Sequence, residues 1–156
     1  MPIQRKMVQM VELDRGTLLT YRGTVYPWHC DHVGHMNNMW YAGKFDEASW
    51  NLLLQLGITP SYLRDSHCGM AALSQETEFR RELLAGDVVE VRSQVIEIRE
   101  KIIRFVHSMY NAESGEIAAT CAITGIHMDR RIRKSCPFPA PMRVRAEQLS
   151  AIQLAA

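Results

Sequence analysis

The stretch NNMWYAGKFDEASWNLLLQL, residues 37–56, decides the architecture of this chain. Tyr41, Phe45, Ala48 and Leu52 recur at i, i+4, i+7 and i+11, the spacing of one face of an α-helix. Asn37 or Asn38 offers an N-cap, and Gly57 stands where a glycine accepts the left-handed turn just past a helix end. Met39, Trp40, Trp50, Leu53 and Leu54 spread apolar character around much of the rest. A helix that is oily on most sides is expected to be buried on most sides, so something must wrap around it.

The flanking sequence supplies the wrapper. Upstream, TLLTYRGTVY (residues 17–26) is rich in β-branched and aromatic residues and reads as a strand ended by Pro27. Downstream, after Pro60 and a short polar turn over 61–67, four strand-like runs follow at about 69–80, 88–99, 102–111 and 116–130. The links between them, LLAGD (83–87), REK (99–101) and NAESGE (111–116), are short, which favours antiparallel neighbours. Val89, Val91 and Val95 alternate with Glu90, Arg92 and Gln94, the pattern of a sheet with one wet face. Residues 1–16 form a ragged lead-in, and a proline-rich tail from Cys136 precedes a short helix over 144–154. The expectation is a single α+β domain over residues 1–156, with an antiparallel sheet of about five strands around one long helix.

Bulk properties narrow the function. Eighteen Lys+Arg against 17 Asp+Glu leave a net charge of +1, so no basic field exists to hold a nucleic acid. Apolar residues at 47% and charged residues at 22% suit a globular chain. Charges at Arg5, Lys6, Glu12 and Asp14 interrupt the first residues, so no secretory signal is read there, and no apolar run reaches the length of a membrane span. Cys30, Cys68, Cys121 and Cys136 show no CxxC spacing and are expected to stay reduced in a cytoplasmic protein.

Reactive side chains concentrate in WHCDHVGHMNN, residues 28–38, immediately before the helix. Asp31 matters most. A carboxylate at a helix start lies near backbone N–H groups that no earlier turn satisfies, at the positive end of the helix dipole. Those donors can polarise a carbonyl and hold the oxyanion formed when it is attacked, which makes an acyl-transfer site without metal. The competing reading is that Asp31 only caps a turn.

The pattern D-x-x-G-H-x-N-N-x-x-Y, carried by Asp31, Gly34, His35, Asn37, Asn38 and Tyr41, resembles the thioesterase branch of the hotdog superfamily, which includes 4-hydroxybenzoyl-CoA thioesterases and related acyl-CoA thioesterases. Phe45, Glu47, Ala48 and Trp50 extend it, and Glu76 to Arg81, Gly86-Asp87, Arg104, His107, Tyr110 and Gly115-Glu116 support it, so it spans roughly residues 17–140. The resemblance implies a hotdog fold and hydrolysis of an acyl-CoA, with no cofactor. It implies Asp31 as nucleophile or general base, and the Asn38 backbone N–H as the group polarising the thioester carbonyl. Gly34 would let the loop approach the substrate, and His35 and Asn37 would line the site. Sheets of such proteins pair edge to edge into dimers, with sites at the subunit boundary, and often pair again into homotetramers. A hydratase or dehydratase of the same fold, expected to carry a His-Phe-x-x-x-Pro type loop, and a non-catalytic acyl-CoA or acyl-carrier binding module are the rival readings.

Other candidates have plainer uses. His29, His32 and His35 are three apart, but Pro27 and Gly34 argue against the helical turn that would align them on a metal. Cys30 reads as a small buried filler, because neighbours on extended backbone point apart and it cannot share a face with Asp31. Glu47 is the alternative carboxylate on the helix, while Glu76 and Glu78 read as core-edge or surface acids. Arg80, Arg81, Arg104, Arg131, Arg133 and Lys134 include possible partners for CoA phosphates, with solvated surface charge the ordinary role. Met39, Trp40, Phe45 and Trp50 belong to core packing or an acyl pocket.

Overall fold

The structure, a computed structural model, describes residues 17–155, with side chains to residue 150. The lead-in read over 1–16 lies outside the described residues. In chain order the elements are β1 (Leu18–Thr24), a 3-10 turn (Pro27–His29), α1 (Asn38–Gln55), α2 (Pro60–Asp65), β2 (Cys68–Phe79), β3 (Val88–Ile98), β4 (Ile102–Asn111), β5 (Ile117–Asp129), β6 (Lys134–Ser135) and α3 (Ala140–Ala155). All strand pairs are antiparallel, in the order β1-β3-β4-β5-β2, with the two-residue β6 added beside β5. Register shifts at Leu19/Tyr21, Ala72/Ser74, Val95/Glu97 and Met109/Tyr110 are bulges, which bend and twist a sheet, and here they help curl it over α1.

Helix α1 sits as its periodicity predicts. Tyr41, Phe45, Ala48 and Leu52 are all buried, packed in one core with Val89, Val91, Val95, Ile103, Phe105, Met109 and Ile123 from the concave face. Asn37 is the N-cap, its side chain accepting the Met39 N–H at 3.0 Å, and Gly57 takes φ +93° just beyond the helix. The expectation of burial on most sides needs correcting. Met39, Trp50 and Leu54 are exposed, because one curled sheet covers only one side of the helix. The outer sheet face is also drier than the Val89–Val95 alternation implies. Gln94, Ser108 and Thr120 are buried, and Val106 and Ala122 pack in a small satellite cluster with Ile96.

Two elements and one pairing differ from the sequence reading. Although LLAGD is a short link, β2 and β3 are not neighbours: β2 pairs with β5 at the opposite side of the meander. The polar turn expected over 61–67 contains helix α2, with Thr59 as N-cap and Pro60 in its first turn. Helix α3 begins at Ala140, ahead of the expected 144, because Pro141 falls in the first turn, where a missing N–H breaks no hydrogen bond.

A buried polar chain ties helix to sheet. His107 of β4 is fully buried, with Nε2 2.8 Å from Ser49 Oγ on α1 and Nδ1 2.5 Å from Ser93 Oγ on β3. Ser93 Oγ in turn lies 2.6 Å from Thr20 Oγ1, and Ser49 donates to the Phe45 carbonyl. The one Ser49 hydroxyl proton goes to Phe45 O, so His107 donates from Nε2 to Ser49 and accepts at Nδ1 from Ser93, which satisfies both nitrogens of the neutral ring. Charging it is what the site resists: burial pushes its pKa down to about 3 from an ordinary 6.5.

That shift has a definite sign in stability. Below pH 6.5 the unfolded chain protonates His107 while the folded chain does not, until pH approaches 3. Stability should therefore decrease as the pH is lowered from 6.5 towards 3, by up to about 1.4 kcal/mol per pH unit. Urea unfolding at a series of pH values measures it. His107→Gln, which keeps a donor and an acceptor, should show a shallower slope, and identical slopes for the two proteins would contradict the assignment.

Candidate active site

Residues 28–38 fold as a miniature hairpin. Cys30 and Met36 form an antiparallel bridge, the Asn37 N–H donates to His29 O at 2.9 Å, and the Asp31 N–H donates to His35 O at 3.2 Å. The tip turns at 31–34, where the Gly34 N–H donates back to Asp31 O and Gly34 takes φ +101°, a conformation that favours glycine. The Met36 N–H donates to Leu83 O at 2.8 Å, fastening the hairpin to the segment between β2 and β3.

This closure sets Asp31 beside the start of α1. Its Oδ2 accepts the Asn37 side-chain amide at 2.7 Å and its Oδ1 accepts the Val33 N–H at 2.9 Å. The Asn37 bond first, and then the Val33 bond, hold the carboxyl below its ordinary 3.8, so it is ionised throughout the neutral range. Asn37 thus has two roles: its carbonyl oxygen caps the helix while its amide holds the carboxylate. The Trp40 N–H is taken by Asn37 O and the Met39 N–H by the Asn37 side chain. The Asn38 N–H has no hydrogen-bond partner among the described residues and precedes the first full turn.

Asn38 and His35 line a cleft of about 220 Å³ with Met36, Tyr41, Phe79, Arg80, Arg81 and Glu82. His35 Nε2 lies 3.7 Å from Glu82. Asp31 stands beside this cleft, outside its lining. The second cavity, about 110 Å³ and mostly apolar, lies farther along α1, between Asp46, Ser49, Trp50 and Leu53 and the strands from Met70 to Gln75. Of the aromatic residues weighed for an acyl pocket, only Trp50 borders it, while Phe45 is core.

The three histidines of the loop do not converge. His29 is buried, its Nδ1 accepting the Tyr26 N–H at 3.0 Å, and burial and then Lys44 lower its pKa. His32 is exposed, and His35 faces Glu82. Cys30 is half-buried at the edge of the core. Glu47 is exposed on the far side of α1, in a groove beside β1. Sequence reasoning did not single out Arg80 and Arg81 from the other basic residues. Only the fold shows that the end of β2 carries them to the cleft, with Arg81 3.6 Å from Glu116. Among the described residues, no helix is long and apolar enough to cross a membrane.

With that geometry in hand, likeness to known proteins is informative. The sequence pattern of the thioesterase-like superfamily matches residues 25–146. A betainyl-CoA thioesterase of Pseudomonas aeruginosa is 27% identical over 85% of this chain and 84% of its own length. An L-carnitine dehydrogenase/betainyl-CoA thioesterase of Rhizobium meliloti is 28% identical over 77% of this chain, which spans only 24% of that protein. Among solved structures, a Staphylococcus aureus protein in complex with CoA superposes with a TM-score of 0.82 at 20% identity, over 88% of this chain and 87% of that one. A 1,4-dihydroxy-2-naphthoyl-CoA thioesterase from Synechocystis gives 0.74 at 17% identity, over 84% and 96%.

The shared use of Asn37 can be separated by substitution. Asn37→Ser retains a good N-cap but removes the amide that holds Asp31. The Asp31 carboxyl should then titrate at higher pH, towards 3.8, with thermal stability at neutral pH little changed. Asn37→Ala should cost in addition about 0.5–2 kcal/mol for the lost cap. Carboxyl-detected NMR titration and thermal melts read the two effects. An unmoved Asp31 in the serine variant would refute the link.

Proposed function

Since the chain belongs to the thioesterase-like superfamily, we propose that it hydrolyses acyl-CoA thioesters to a free acid and coenzyme A, with Asp31 as its catalytic carboxylate. The observation that carries this reading is the Asn37 joint, which holds an ionised carboxylate at the start of α1, where the N–H of the next residue, Asn38, has no partner among the described residues.

A thioester in the cleft would meet the Asn38 N–H at its carbonyl oxygen and Asp31 at its carbonyl carbon. Asp31 either takes a proton from a water that adds to that carbon, or adds itself to give a mixed anhydride that water then opens. In both branches negative charge collects on the carbonyl oxygen and is met by the helix-start amide. The carbon–sulfur bond then breaks, and coenzyme A leaves as a thiolate that takes up a proton. Gly34 keeps the hairpin tip free of a side chain, while His35 and Asn37 line the mouth. Arg80 and Arg81, at the same cleft, suit the phosphates of coenzyme A.

The reading extends to assembly and location. β2 forms an open edge of the sheet, with Leu73 and Phe79 exposed along it, and an uncovered edge of that length favours pairing with a second copy. We take the working unit to be a homodimer, or a tetramer of two such dimers, in the cytoplasm, with each cleft completed across the subunit boundary.

Thiol release over a panel of aliphatic, aromatic and betainyl acyl-CoAs tests the activity and finds the acyl group. Asp31→Asn should stay folded and bind CoA, yet turn over about 10²–10⁴-fold more slowly. Turnover within a few-fold of the unsubstituted protein would move the catalytic carboxylate elsewhere, with Glu47 next to test. Arg81→Ala should raise KM by about tenfold with kcat nearly unchanged, the mark of a contact equal in ground and transition states.

A further inference from the structure

The end of the sheet away from Asp31 brings together three residues that lie far apart in sequence. Cys68 opens β2, His127 lies near the end of β5, and Cys136 follows β6. In the ladder Cys68 faces Asp129 and Met70 faces His127, while the Cys136 N–H donates to His127 O at 3.0 Å. Side chains alternate along strands, so residues 68 and 70, 127 and 129, and 134 and 136 share one face. One donor atom from each of Cys68, His127 and Cys136 lies within 4.8 Å of the other two.

We infer that Cys68, His127 and Cys136 form a binding site for one zinc ion. His127 is the anchor. It is 1% exposed, with Nδ1 3.3 Å from Cys136 Sγ and Nε2 2.8 Å from the Tyr62 hydroxyl on α2. That is the arrangement of a ligating imidazole, with one nitrogen towards the metal and the other hydrogen-bonded so that the ring is fixed. Phe138 stacks on the ring at 4.8 Å and shields it. Two thiolates and an imidazole form a donor set that suits zinc, with a fourth position left for water or an exogenous ligand. Bond lengths of about 2.3 Å to sulfur and about 2.0 Å to nitrogen put tetrahedral donors about 3.5–3.8 Å apart. The cluster therefore needs to contract by about 1 Å, within reach of rotation at the two half-buried cysteines. Binding exchanges two thiol protons for one Zn²⁺, with no change of oxidation state.

A zinc ion here would join the start of β2, the end of β5 and the segment leading into α3, and it would leave the chemistry at the other end of β2 untouched. The simpler use of these residues is a satisfied core histidine: Nδ1 also lies 3.1 Å from Cys136 O, and a proton held there would bind nothing. A free thiol pair that oxidises to a disulfide is the other alternative.

Cobalt separates these readings. Reduced, chelator-treated full-length protein should take up one Co²⁺ per chain with thiolate-to-cobalt charge-transfer absorption, and Zn²⁺ should displace it. Zinc should raise the melting temperature, and chelator should lower it without loss of thioesterase turnover. Cys68→Ser, Cys136→Ser and His127→Gln should each weaken binding by about 100-fold or more, and Tyr62→Phe by about tenfold, while Cys30→Ser should not. Circular dichroism reports whether each variant is folded. Absence of charge-transfer absorption in the unsubstituted protein overturns the proposal whatever the variants do. So does an unchanged spectrum in folded Cys68→Ser, or a Cys68–Cys136 disulfide forming in place of metal uptake.

Discussion

Everything in this molecule is arranged around the burial of one face of α1 in the hollow of the sheet. The face that carries Phe45 and Leu52 supplies the apolar area, and area alone is indifferent to rotation or sliding of the helix. The hydrogen bond from His107 to Ser49 is not indifferent. A buried imidazole that lost it would be left with an unsatisfied nitrogen, at a cost of about 1–3 kcal/mol. Apolar burial therefore drives the packing, and polar contacts fix where along the sheet it occurs: His107 to Ser49, with Asn51 donating to Thr20 O at 2.6 Å and Lys44 to the Tyr21 hydroxyl at 2.9 Å.

With the helix fixed, the position of its first turn is fixed, and with it the loop that precedes it. Asn37 translates one into the other. The side chain that ends the helix also grips Asp31, so the placement of the carboxylate follows from the placement of the helix start. The hairpin between Cys30 and Met36 and the bond from Met36 to Leu83 O hold the approach to that start from the sheet side. The candidate chemistry thus sits where rigid elements meet, with only the tip at Gly34 left to the loop.

The elements were legible where local chemistry dictates them. The spacing of Tyr41, Phe45, Ala48 and Leu52, the Asn37 cap and Gly57 located α1 within a residue at each end. The long strands were legible from alternation and short links. α2 was missed although Thr59-Pro60 is a helix-start signal, because six residues give little periodicity to read. β6 owes its existence to β5 and has no local signature. Nor does sequence reveal what covers an apolar residue, which is why Trp50 and Leu54 were expected inside. At the site, Asp31, Asn37 and Asn38 stood out through their pattern. The arginines of the cleft and the Cys68–His127–Cys136 group did not, since only strand pairing brings them together.

The order β1-β3-β4-β5-β2 also governs what the chain must pay in entropy to close itself. β3, β4 and β5 form a meander joined by the tight links at Arg99–Lys101 and Ala112–Glu116, so their pairing closes short loops. β1 pairs with β3 only after the whole of α1 and β2 has been looped out, and β2 reaches β5 across the meander itself. Closure cost grows only with the logarithm of loop length, about 0.6 kcal/mol per doubling, so the edges are reachable but always at a disadvantage to the middle. The candidate active site, fastened between α1 and the far end of β2, therefore belongs to the contacts of long range. It is complete only when the last edge of the sheet is in place.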